Sequence, residues 1–227
     1  MKKLFIMANA IMMTLILIFD ICYMIKGGLL FKSVASIMFV LTGFINLIYC
    51  IKKKSNLKYP IWMIVALICA MLGDILLLYN FYLGAGAFAV GHIFYFVSYC
   101  MLEKLNCKDL LYGIVILLFS LFVLLVTPFL SFDSTFMHCI CCAYAIIISF
   151  MMGKAISNMV KSNSIVNRAI AIGSILFFIS DFMLMLDLFG GISTASYLCL
   201  GTYYSAQFLL AFSLFIHAST SFIITKK

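Results

Sequence analysis

Residues 61–80 read IWMIVALICAMLGDILLLYN, an apolar run that carries a single charged side chain, Asp74. About 20 apolar residues, at a rise of 1.5 Å each, cross the hydrocarbon core of a bilayer. The run is therefore read as a membrane-spanning helix with a carboxyl inside it. Similar runs fall at about 4–25, 29–51, 83–102, 110–130, 135–153, 169–189 and 194–223, which makes eight. The first begins like a signal peptide, with Lys2 and Lys3 ahead of it, but no convincing small-residue cleavage site follows. It is read as the first helix.

Composition supports this. Of 227 residues, 67% are hydrophobic and only 10% charged, against about 25% charged in soluble domains. A soluble fold of this size could not hide so much apolar surface. The connections between runs are too short for a soluble domain, so residues 1–227 are expected to form a single all-α transmembrane domain. The net charge of +8 is not gathered into one patch, and no nucleic-acid partner is expected. Nine cysteines, scattered and without a CxxC pair, read as small apolar filler.

The basic residues lie in the gaps between runs, where they act as topology signals. With the N-terminus in the cytoplasm, Lys2, Lys3, Lys52, Lys53, Lys54, Lys58, Lys104, Lys108, Lys154, Lys161, Arg168, Lys226 and Lys227 all fall inside. Only Lys26 and Lys32 of the 15 fall outside. Both termini are expected to be cytoplasmic.

Leu72-Gly73-Asp74-Ile75-Leu76-Leu77 has a counterpart in Ile179-Ser180-Asp181-Phe182-Met183-Leu184 of the seventh run. Each is followed by a Gly-containing turn and an aromatic helix, which suggests a parallel four-plus-four repeat. A carboxyl inside a membrane costs about 2.5–3.5 kcal/mol on insertion scales, so it ordinarily has a partner or a task. Asp74 and Asp181 lie about 9 and 12 Å from the outer ends of their runs at the helical rise. Lys32, His92, Tyr144 and Tyr203 fall in the same outer half. Phe88, His92, Tyr95 and Tyr99 share one face of the fourth run, and Tyr203 and Gln207 share one of the eighth. These groups suit a site for an amphipathic molecule.

Other readings apply to the same residues. The two aspartates could tie helices together with Lys32 as counter-ion, and His92 could be a satisfied core histidine. Asp20 and Asp187, near helix ends, read as interfacial. His138, Cys141 and Cys142 share a face but lack an evident fourth metal ligand, so no metal site is expected. Soluble-enzyme motifs such as GxSxG, HExxH and GxGxxG are absent.

Several motifs recur in a fixed order. They are Phe31-Lys32, Leu72-Gly73-Asp74, Gly86-Ala87-Phe88 with His92 and Tyr95, Phe177-Phe178-Ile179-Ser180-Asp181, and the Tyr203–Gln207 pattern. Together the chain resembles the YhhN family, whose characterised members are lysoplasmalogenases; Ser33 departs from the family's usual proline. The resemblance implies a multi-pass protein of the bacterial cell membrane with a lysophospholipid substrate, surrounded by membrane lipids. Its expected activity is hydrolysis of the vinyl ether bond of a lysoplasmalogen, with Asp74 and Asp181 catalytic and no metal or organic cofactor required. Lys32 would hold the substrate phosphate, and His92, Tyr95, Tyr144, Tyr203 and Gln207 would bind glycerol, ether oxygen or water. The competing expectation is a proton- or ion-coupled transporter, since membrane carboxylates and repeated halves also serve transport.

Overall fold

Apolar runs of membrane-spanning length become helices because each backbone polar group must be satisfied within its own segment. The computed structural model describes residues 1–224, with side chains to residue 220, and is helical throughout apart from its turns. The helices are α1 (Lys2–Lys26), α2 (Leu29–Lys52), α3 (Lys58–Leu77), α4 (Phe81–Leu102), α5 (Cys107–Val126), α6 (Thr135–Lys161), α7 (Ile165–Gly190) and α8 (Ala195–Ile224). All eight are long and apolar enough to cross a membrane. The protein is an integral, multi-pass membrane protein. Lys226 and Lys227, counted as inner charges, lie outside the described residues.

Short polar turns end the helices by capping them. Asn80 accepts from the Leu83 amide at the start of α4, and Ser134 from that of Met137 at the start of α6. The turn between α3 and α4 is tight, and only glycine fits at its far side. A Cβ on Gly84 would sit 2.6 Å from the Leu77 Cα.

Several boundaries differ from the apolar runs by a few residues, and two of them concern charged side chains. α3 ends at Leu77, so Asp74 sits one turn from its end and not six residues in. α6 continues through Lys154 to Lys161, although Lys154 reads from sequence as a loop charge. It is instead fully buried, 2.8 Å from Asp109 on α5 and 3.1 Å from the Lys104 carbonyl. The partner makes a buried lysine tolerable.

Helix pairing follows the suspected repeat. α1 packs on α2 as α5 does on α6, α3 on α4 as α7 does on α8, and α2 on α3 as α6 does on α7. The contact of α2 with α8 is matched by that of α6 with α4, whereas the α8 contacts with α1 and α3 have no counterpart. No Cα of α4 comes within 8 Å of a Cα of α7 or α8 among the described residues. Large side chains fill that gap, and there the polar groups gather.

Candidate active site

Asp74 is 3% exposed, and three groups converge on it. Ser36 of α2 and Tyr203 of α8 donate to its Oδ2 at 2.6 and 2.8 Å. The Lys32 ammonium stands 3.8 Å from its Oδ1. Lys32 and Ser36 are four residues apart, so helical spacing puts both on the α2 face that meets α3 and α8. Ser36 was not singled out from sequence, although that spacing from Lys32 was available. Tyr204 completes the enclosure, 3.3 Å from the Lys32 carbonyl.

Asp181 is held in a related way. Tyr144 of α6 donates to its Oδ2 at 2.6 Å, and Nε2 of His92 on α4 lies 3.4 Å from the same oxygen. The Tyr144 hydroxyl is also 2.7 Å from that Nε2. His92 is fully buried, and its Nδ1 has no hydrogen-bond partner among the described residues. An unpartnered lone pair is tolerated better than an unpartnered N–H, so the proton is assigned to Nε2.

The two arrangements correspond under the repeat. Asp181 follows Asp74 by 107 residues, Tyr144 follows Ser36 by 108, and Tyr203 follows His92 by 111. Each aspartate thus meets one polar group from the helix before it and one from the opposite half. Phe177 joins the halves, its ring centre 4.6 Å from that of His92 and 5.3 Å from that of Tyr203.

Asp74 and Asp181 line one polar cavity, together with Lys32, Tyr23, Asp187, Ser196 and Tyr203. A second cavity is almost wholly apolar, and Asp181 is its only carboxyl. Tyr95 and Gln207 line neither. They are fully buried and bonded to each other at 2.6 Å, behind His92. Asp20, read from sequence as interfacial, is 2% exposed and within electrostatic reach of Asp74. α1 folds its end against the bundle, which turns a helix-end position into an interior one. Asp187 is half-buried, at the margin of the polar cavity. His138 pairs with the Leu124 carbonyl at 3.2 Å, and no metal-holding group of side chains occurs among the described residues.

Residues 27–214 match the model of the YhhN family. The chain belongs to the YhhN family. The segment shared with the YhhN family contains both aspartates and every donor that reaches them, while Asp20 and Tyr23 precede it. No curated protein and no solved structure matches the chain.

Proposed function

We propose that this YhhN-family protein hydrolyses the vinyl ether bond of a lysoplasmalogen, giving a fatty aldehyde and a glycerophospho-alcohol. The reading rests on one observation: two aspartates line a single polar cavity inside a membrane bundle, in different hydrogen-bonding settings, with a lysine beside one of them.

A vinyl ether is cleaved by adding a proton to its β-carbon. The resulting oxocarbenium ion takes up water, and the water proton passes to a base. The hemiacetal then collapses, breaking the bond between the former vinyl carbon and the ether oxygen and returning a proton to that oxygen. The reaction needs one acid, one anion near the cation, and a held water.

Asp74 suits the anionic role. A cation and two hydroxyl donors surround it, an arrangement complementary to a carboxylate. Asp181 suits the acid role. Tyr144 occupies its Oδ2, and its Oδ1 takes part in no hydrogen bond to a described residue, which leaves that oxygen to carry the proton toward substrate. Tyr144 and His92 then support the carboxylate left behind. The Lys32 ammonium stands over the Tyr23 ring at 5.6 Å and donates no hydrogen bond to a described residue. Its three donors are available to a phosphate. Tyr95 and Gln207 act as positioning residues behind His92.

The test is aldehyde release from lysoplasmalogen by the purified protein in D2O, with immediate reduction of the product. Vinyl ether hydration places one deuterium on the carbon next to the aldehyde carbon. Absence of aldehyde above background with choline and ethanolamine substrates alike would overturn the reading. Aldehyde without that deuterium would overturn the proton-transfer mechanism.

A further inference from the structure

The polar cavity holds the groups that the proposed chemistry uses, which leaves the apolar cavity without a task. It lies between α4, α5, α6 and α7, with Leu124, Ala145, Ile148, Phe178 and Phe182 in its walls. It is continuous in its lining with the polar cavity. Leu77, Phe88, Asp181 and Leu184 border both. An amphipathic molecule lying across that border has its polar part beside Lys32 and Asp74 and its hydrocarbon among α5, α6 and α7. Its first chain carbons then pass Asp181.

The outer wall of this cavity is thin. Among the described residues, α6 is the one helix whose Cα atoms come within 8 Å of those of α5, and α7 stays farther away. A pair of stacked rings, Phe119 on α5 and Phe182 on α7, spans the seam between the two helices, with centres 6.3 Å apart. Phe119 is 53% exposed, and beside it on α5 Leu118 and Phe122 are exposed as well. In a membrane these side chains face lipid tails. This ring pair stands between the bilayer hydrocarbon and a cavity that reaches Asp181.

We propose that this cavity is the slot for the single hydrocarbon chain of the substrate, and that the chain enters from the bilayer through the α5–α7 seam. The proposal rests on the lysoplasmalogen reading for the identity of the chain. Moving a chain from lipid into an apolar slot exchanges one hydrocarbon setting for another, so the slot acts chiefly by orientation. It fixes which chain carbons lie against Asp181, and misplacement by about 1 Å costs up to about 100-fold in rate. The polar cavity borders this slot at Leu77, Phe88, Asp181 and Leu184, so one chain can run from it into the slot.

The experiment uses a lysophospholipid with a non-hydrolysable alkyl ether chain ending in a diazirine, added to the whole protein in nanodiscs. Irradiation is expected to label slot residues on α5, α6 and α7, and unlabelled lysophospholipid is expected to compete the label away. Label confined to lipid-facing residues such as Ile11 or Ile48, unaffected by competitor, overturns the slot. Phe119→Ala is expected to bring labelling on several-fold faster, and unchanged onset rules out the seam as the entrance. Ala145→Phe fills the slot and is expected to lower the ratio of long-chain to short-chain lysoplasmalogen turnover by about tenfold. Ala145→Val is expected to lower it less, and an unchanged ratio in both overturns the slot. The photolabel reads binding without turnover, so a protein that releases no aldehyde yet labels the slot defeats the enzyme reading and not this one.

Discussion

Asp74 and Asp181 face one cavity from opposite halves of the chain, and the polar groups around them correspond in position but not in kind. Ser36 and Tyr203 serve the first, Tyr144 and His92 the second. Lysine accompanies only Asp74. In the proposed mechanism this difference in partners makes Asp74 the anion and Asp181 the proton donor.

Asp181→Asn removes the proposed acid. It is expected to lower kcat/KM by about 100- to 10,000-fold, the usual contribution of general acid catalysis. Asp74→Asn is expected to slow the reaction yet keep a solvent deuterium isotope effect on aldehyde release, because the proton donor remains. Loss of that effect in Asp74→Asn, with Asp181→Asn unaffected, would reverse the two roles.

Tyr144→Phe removes the hydroxyl that bridges Asp181 and His92. Hydrogen bonds to charged groups are worth about 1.5–3 kcal/mol. The expected result is a fall of about 10- to 150-fold in kcat with little change in KM, read from full saturation curves. A rise in KM alone would move Tyr144 from supporting Asp181 to binding substrate.

Lys32→Met addresses the phosphate. It is expected chiefly to raise KM. Because it also leaves Asp74 without its cation, the comparison uses substrates with and without the phosphate group. The loss is expected to be larger for the phosphorylated substrate, and an equal loss on both would show that Lys32 serves only Asp74.

Gly73→Ala tests the packing at the border of the two cavities. The added Cβ would lie 2.8 Å from the Phe88 ring, which lines both cavities and meets Tyr203 edge-on. Overpacking of this kind costs about 1–3 kcal/mol. Lower thermal stability and lower turnover are expected together. Gly86→Ala, where the new methyl meets nothing within 4 Å, is the control.

Lys154→Met leaves Asp109 buried against α6 without its cation. Breaking one side of a buried pair costs about 3–5 kcal/mol, so a clear drop in the unfolding midpoint in detergent is expected. Turnover per folded molecule should change little, since the pair lies at the opposite end of the bundle from the aspartates. Lys154→Met combined with Asp109→Leu should recover part of the loss, though not the turn at Asn106, which Asp109 also caps.

The sequence by itself determined the solvent and the architecture. Runs of about 20 apolar residues leave the backbone one way to satisfy itself in lipid, and helical spacing put Phe88, His92, Tyr95 and Tyr99 on one face before any contact was known. Asp74 and Asp181 stood out because charge is costly where everything around it is apolar. Only the tertiary structure decided what each carboxyl meets. Partners such as Ser36 with Asp74 or Tyr144 with Asp181 come from different helices, and their meeting depends on how each helix is rotated and how closely it approaches its neighbour. The same dependence kept Lys154 and Asp20 from being read correctly, because a charge near a helix end looks exposed until another helix covers it. The division of the interior into a polar and an apolar cavity that meet at Asp181 belongs to the packing of several helices from both halves, not to any one segment.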